Sequence, residues 1–195
     1  MTPTVTALHE RKRGRVGVEL DGRRWRVLPT DVVVRAGLGV GRPLDRQTAR
    51  ELARELRRAK ALAQATRLLR AGGRSRGELE QRLSRARHSD SAREEAVGAL
   101  ERAGVLDDAR LAESRAELLA RRGYGDTAIR ADLRRRLIPA ESAADAVAAL
   151  EPEVVRIRPL LEGKSVTPAL LRRLAGRGFS RDTLDEIAVA FAQEA

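Results

Sequence analysis

From residue 79 onward one spacing of apolar residues is written three times. Beginning at Leu79, Ile129 and Leu170, steps of 4, 9, 14, 18 and 21 fall on Leu83, His88, Arg93, Val97 and Leu100 in the first copy. The second copy gives Leu133, Ile138, Ala143, Val147 and Leu150, and the third gives Leu174, Phe179, Leu184, Ala188 and Phe191. Two copies keep the pattern throughout, and the first departs from it at His88 and Arg93. Such spacing predicts a helix, a tight turn carrying an apolar plug, and a second helix, with a further helix over Asp107 to Arg122 linking copies. A unit this small cannot bury its apolar face alone, so neighbours must stack. The expected fold is therefore mainly α, an elongated and curved array of tandem three-helix repeats. Aromatic residues make up only 2% of the chain, which leaves a single thick core hard to fill and favours small units packed by Leu and Ala.

Start and stop signals divide the chain further. Val16, Val18 and Leu20 alternate with polar residues, meet Asp21-Gly22, and resume at Trp25 and Val27, which predicts a β-hairpin closed by a type I′ turn. Thr30 is placed to cap a short helix that Gly37 ends. A long amphipathic helix follows from Asp45 to about Ala71, marked by Leu52, Leu56, Ala59, Ala63, Thr66 and Leu69, and Gly72-Gly73 stops it. Ser75 with Glu78, and Ser91 with Glu94, have the capping-box spacing. Thr167 before Pro168, and Ser180, are cap candidates for the last two helices. The resulting division is 1–44, a hairpin and short-helix extension; 45–106, the long helix plus first repeat; 107–152, the second repeat; and 153–195, the third.

The pair Asp107-Asp108 invites a catalytic reading. Adjacent residues at a helix start point in different directions, however, and no third carboxylate, histidine or cysteine nearby suggests a metal shell or a general-acid partner. Asp107 fits an N-cap, Asp108 the first turn and Arg121-Arg122 the last turn, so both ends complement the helix dipole. Two phosphate-loop lookalikes also fail. The glycines of GLGVG at 37–41 have the wrong spacing for a dinucleotide fold, and GKS at 163–165 has Arg158 where a P-loop needs glycine. His9 and His88 stand alone, and cysteine is absent. No catalytic centre, metal or cofactor is expected. No segment reads as a signal peptide or a membrane span, which points to a soluble, cytoplasmic protein.

Charge indicates the kind of partner. With 39 Lys+Arg against 28 Asp+Glu, the formal net charge is +11, which favours an anionic partner. Residues 46–87 carry 13 bases and 4 acids, and residues 121–136 carry 6 bases and 2 acids. Between and beyond them the sign reverses: 88–120 hold 4 bases and 8 acids, and 137–155 hold 4 acids and no base. Arg50, Arg54, Arg57 and Arg58 share a flank of the long helix, and Arg130 and Arg134 are one turn apart, so basic ridges can form. Local pairs of Glu51 with Arg54 and Glu55 with Arg58 are the competing use of those charges. The scarcity of aromatics argues against a base-stacking platform of the OB or RRM kind, leaving phosphate contacts that are indifferent to sequence and weakened by salt. Tyr124, between two glycines, is either an exposed contact or a plug into the next helix pair, and the plug is the favoured reading.

The segments RSRGELEQRL, GVLDDARLAESRAELLARRGYGDTAIRADLRRRLI and LLRRLAGRGFSRDTLDEIAVAF resemble the RecX family of regulatory proteins, over about residues 60 to 192. The DD-helix-GYG block is the most specific part. RARH in the first repeat and RRRLIP in the second stand where a glycine-containing turn is usual. The resemblance implies three tandem three-helix units and a monomer that lies in the groove of the RecA filament on single-stranded DNA, curbing its ATPase, strand-exchange and coprotease activities. The candidate contacts to recombinase or to the phosphates of single- or double-stranded DNA are Arg54, Arg57, Arg58, Arg67 and Arg70 on the long helix. Arg74, Arg76 and Arg82 follow, and Arg121, Arg122, Tyr124, Arg130, Arg134 and Arg135 form the later group. The rival expectation is a sequence-independent DNA-binding module that acts without a recombinase.

Overall fold

The computed structural model describes residues 2–193 and divides into two compact units, Met1–Arg70 with Glu80–Arg102, and Ala71–Leu79 with Ala103–Ala195. In the first unit an antiparallel sheet runs in the order β1 (Val5–Arg11), β2 (Arg15–Leu20), β3 (Arg23–Pro29). The expected hairpin is β2–β3: Leu20 pairs with Arg23, and Asp21 and Gly22 both have positive φ, +48° and +75°, as a type I′ turn requires. β1 is an addition to the expected hairpin. Its turn uses Arg13 and Gly14 at φ +63° and +62°, and an arginine there gives no turn signal in sequence. The loop containing GLGVG pins this strand, because the Val5 N–H donates to the Arg42 carbonyl (3.0 Å) and the Gly41 N–H to the Val5 carbonyl (2.8 Å).

Helix α1 (Thr30–Arg35) is capped by Pro29 in extended geometry, so Thr30 is the first helical residue and not the cap. Gly37 ends it at φ +61°, as expected. Asp45 caps α2 (Arg46–Arg70) by accepting from the Thr48 N–H (2.8 Å), a bond that holds its carboxyl below the usual carboxylate range. The core joins Val5, Val18 and Leu28 of the sheet to Val32 of α1 and Leu52 of α2. Farther along α2, Ala61 packs against Ala92 and Ala96 of α4 (Asp90–Arg102), where small side chains let the helices approach. α4 starts before Ser91: the Ser89 carbonyl already accepts from the Arg93 N–H (3.0 Å), so Ser91 lies in the first turn and its hydroxyl reaches Glu95 instead of forming a capping box with Glu94. Of the two expected local ion pairs, Glu55 with Arg58 forms and Glu51 with Arg54 does not. Glu51 turns to Arg42 (3.4 Å), which leaves Arg54 to Glu95 (2.7 Å), while buried Glu55 accepts from both Arg35 (3.0 Å) and Arg58 (2.9 Å).

The second unit takes the first turn of α3 (Arg76–Arg85), then α5 (Asp108–Arg121), α6 (Asp126–Arg135) and α7 (Ala140–Ala148). It continues with α8 (Glu153–Arg156), α9 (Arg158–Leu161), α10 (Pro168–Gly176) and α11 (Arg181–Gln193). One core centres on Ala112, Ala116, Ile129, Leu133 and Val147, and another on Ile157, Leu161, Leu174, Phe179 and Ile187. The caps fall where local sequence puts them. Ser75 and Glu78 exchange both capping-box bonds (3.1 Å each), Asp107 accepts from the Arg110 N–H (3.0 Å), and Thr167 and Ser180 accept from Leu170 and Thr183 (3.3 Å each).

One turn recurs at all three plug positions. The N–H groups of His88, Ile138 and Phe179 donate to the carbonyls of Leu83, Leu133 and Leu174 at 3.2, 3.2 and 3.3 Å, the six-to-one bond of a Schellman motif. The residue before each plug is left-handed: Arg87 at φ +61°, Leu137 at +57° and Gly178 at +85°. The turn is thus retained without glycine in the first two repeats, at the steric cost of a Cβ in that region. Arg87 is exposed. Arg87→Gly is expected to raise stability by about 0.5 kcal/mol, the relieved strain outweighing glycine's greater unfolded-state entropy, and urea unfolding of both chains measures it.

Candidate partner-binding surface

The second unit is held at its repeat junctions by backbone. The Ser75 hydroxyl donates to the Arg136 carbonyl, and a Cβ on Gly77 would lie 2.6 Å from the Leu137 Cβ. One repeat later the Gly125 and Thr127 N–H groups donate to the carbonyls of Arg177 and Gly178 (3.0 Å each). In both places a helix start sits on the C-terminal turn of the corresponding helix in the next repeat. An acid from the first turn of the intervening helix closes each junction: Asp108 accepts from the Arg76 N–H (2.8 Å) and Glu153 from the Asp126 N–H (2.5 Å). Asp107 and Asp108 therefore cap α5 and α3 respectively, which accounts for both carboxylates structurally.

These junctions fix α6 with Ile129 and Leu133 buried and its arginines outward. On one side a cleft of about 530 Å³ is lined by Arg115, Arg122, Tyr124, Asp132 and Arg135, with the Gly176 and Gly178 backbone opposite. Arg115 grips Asp132 in a two-pronged pair (Nε–Oδ2 2.8 Å, Nη2–Oδ1 3.2 Å), and Arg135 adds a third bond at 3.2 Å. The Arg115 bond outweighs burial, holding the Asp132 carboxyl below its usual range and raising the Arg115 guanidinium above its own. One carboxylate against three arginines leaves the cleft cationic. On the other side Arg130 and Arg134 rim a groove of about 390 Å³ floored by Ile138, Ala140, Ala143 and Ala144. Arg130 reaches Asp126 only at 3.7 Å, and no acid pairs with Arg134 among the described residues. The arrangement suits carboxylate or phosphate groups, and its arginines offer forked donors for either.

The structure thus gathers Arg122, Tyr124, Arg135, Arg130 and Arg134 around α6. Arg121 lies on α5, exposed and paired one turn away with Glu117 (3.3 Å). Tyr124 is 40% exposed, which corrects its reading as a plug: the plug is Phe179, buried at 4%. The Tyr124 carbonyl accepts from Arg156 (3.2 Å). In the first unit Arg57, Arg67, Arg70 and Arg82 are exposed, whereas Arg58 is 8% exposed and spent on Glu55, with Asp31 at 3.8 Å. Arg58 belongs to the interior. Arg74 and Arg76 are half-buried at the α3 start, where the Arg76 N–H is part of the Asp108 junction. Sequence reasoning missed Arg115 and Arg156, whose partners lie 17 and 30 residues away. Among the described residues no group of three or more His, Asp and Glu could hold a metal, and no helix is long and apolar enough to cross a membrane.

A small N-terminal sheet followed by tandem helical repeats edged with arginine defines a helical-repeat class of protein. A family model described as RecX, second three-helix domain, matches residues 107–147. "Regulatory protein RecX" of Thermus thermophilus is 37% identical over 123 residues, covering 62% of this chain and 84% of the relative. The Mycobacterium leprae protein of the same name is 31% identical over 140 residues, covering 64% and 81%. A crystal structure of regulatory protein RecX superposes with TM-score 0.80 at 19% identity over 95% of this chain and 98% of the other. That of RecX from Lactobacillus salivarius gives 0.63 at 21% over 70% and 97%. The chain belongs to the RecX family.

Proposed function

We propose that the protein binds the RecA filament on single-stranded DNA, in its helical groove, and restrains its ATPase, strand-exchange and coprotease activities without catalysing any reaction itself. The observation that carries this reading is the 37% identity to a regulatory protein RecX over most of that relative's length. The cationic cleft and the Arg130–Arg134 groove support it, since both suit an acidic protein surface or DNA phosphates. On this reading the protein acts in the cytoplasm as a monomer, and its repeats divide at 106/107 and 152/153. The α6 arginines meet the partner, while Arg54, Arg57, Arg67, Arg70 and Arg82 serve the first repeat in the same way.

The test is DNA-dependent ATP hydrolysis by RecA on single-stranded DNA, titrated with this protein. The wild-type chain is expected to inhibit. The triple variant Arg130→Glu, Arg134→Glu, Arg135→Glu should need more than about tenfold higher concentration, because reversal turns each attraction into repulsion. Helicity by circular dichroism should be unchanged, as all three side chains are exposed. Inhibition by the variant equal to wild type would remove α6 from the interface, and no effect of the wild-type chain would overturn the reading.

A further inference from the structure

The groove of about 390 Å³ beside α6 joins a cationic rim to an apolar floor, two surfaces that a phosphate contact does not use together. Thr127, Arg130, Ala131 and Arg134 recur at three- and four-residue steps, so a single stripe of α6 forms the wall. From Thr127 to Arg134 that wall runs two turns, about 10 Å. The floor comes from the turn after α6 and the first turns of α7. Ile138 and Ala143 are buried there, whereas Ala140 and Ala144 are exposed. Alanine at 140 and 144 keeps the groove open, since a longer side chain at either position would stand in it. The floor side chains carry no hydrogen-bonding group. The rim is the reverse: Arg130 has only the 3.7 Å contact with Asp126, and Arg134 pairs with no acid among the described residues. The acids of α7, Glu141 and Asp145, are exposed and lie outside the lining.

We infer, resting on the proposed function, that this groove docks a segment of the recombinase polypeptide and not the DNA. The segment it fits is an acidic–apolar stretch with two carboxylates about one helical turn apart and an aliphatic side chain between them. The arginines alone do not choose, because carboxylate and phosphate both accept forked donors. The floor chooses. A phosphodiester backbone is anionic along its whole length, so it can hold Arg130 and Arg134 yet gains little by covering Ile138, Ala140 and Ala144. An aliphatic side chain gains in proportion to the apolar surface withdrawn from water. An apolar centre inside a polar rim is the anatomy of a protein–protein contact, whereas contacts to DNA are more polar and more positively charged throughout.

The test fills the floor without touching a charge. Inhibition of recombinase ATP hydrolysis on single-stranded DNA is titrated with each chain, and anisotropy of a labelled oligothymidine, with no recombinase present, gives the affinity for bare DNA. Ala144→Trp is expected to need more than about tenfold more protein for half-inhibition, while its affinity for the bare oligomer equals wild type. Ala140→Leu fills the same floor from its other end and should behave alike, so the result does not hang on the folding of one variant. Circular dichroism checks both. Wild-type inhibition by the two folded variants would overturn the inference. Equal loss of inhibition and of oligothymidine affinity would assign the groove to DNA, and self-association of the wild-type chain abolished by Ala144→Trp would assign it to a second copy; either overturns it too. Absence of inhibition by the wild-type chain is instead the failure of the proposed function, and the docking assignment would fall with it.

Discussion

Gly125→Ala is expected to cost about 4 kcal/mol and to release α10 and α11 from the rest of the second unit. The reason is steric and not conformational. Gly125 has φ −84° and ψ 169°, a backbone open to any residue. A Cβ there would lie 2.3 Å from the Phe179 nitrogen and 2.4 Å from the Gly178 carbonyl carbon and oxygen. Those atoms are backbone, fixed by the bonds from Gly125 to Arg177 and from Thr127 to Gly178, so no rotamer change makes room. Alanine must therefore push the α6 start off the α10 turn, breaking both bonds and uncovering Phe179. Gly176→Ala is the control: a Cβ there meets nothing within 4 Å, and alanine in a helix gains about 0.5–1 kcal/mol over glycine. Urea unfolding of both variants, with amide exchange of α10 and α11, checks the contrast. Equal stability of the two would show that the junction does not depend on close backbone approach.

That junction also shows which parts of the molecule could be read before the structure. Helix starts were legible at Ser75, Asp107, Thr167 and Ser180, because a cap and its amide lie three residues apart and need nothing distant. The plugs Ile138 and Phe179 were legible from spacing, as a period survives whatever it packs against. Strand β1 was not, since its turn places Arg13 in a conformation the residue does not advertise. Within the candidate site, the exposed arginines of α6 follow from helical periodicity, but the cleft does not. It is made by Arg115 reaching Asp132 and by the α10 turn lying across Tyr124 and Thr127, contacts between residues far apart in sequence. Arg58 was misleading for the same reason: its periodicity matches Arg54, yet Glu55 and Asp31 draw it inward. Glycine identity at 125 gave a turn signal without disclosing that the missing Cβ, and not the torsion, was the requirement.

The largest effect from a single charged side chain is expected at Glu153. From sequence it was one of four acids in the acidic stretch 137–155, with nothing to set it apart, yet it is 8% exposed and serves two helix starts at once. Its carboxylate accepts from the Asp126 N–H (2.5 Å), the Ser180 N–H (2.9 Å) and the Thr183 hydroxyl (3.1 Å), tying α6 to α11 through α8. Burial pushes the carboxyl up, but the bonds from Ser180, Asp126 and Thr183 outweigh it and hold the group below the usual glutamate range. Glu153→Ala strands those donors in the interior and is expected to cost about 3 kcal/mol. Glu153→Gln preserves shape and one acceptor oxygen and should cost about half as much. Because the folded carboxyl is the stronger acid, its contribution is fully present above about pH 4.3, the ordinary glutamate value, and is lost as pH falls below it. Stability of the wild-type chain should therefore be level from pH 7 to about 5 and then drop, with Asp132 and Glu55, lowered likewise, adding to the fall. In Glu153→Gln the acid limb should be shallower than wild type by the share this carboxylate supplies. Identical slopes below pH 4.3 for the two chains, measured by urea unfolding at matched ionic strength, would mean that the charge on Glu153 does not hold the helix ends together.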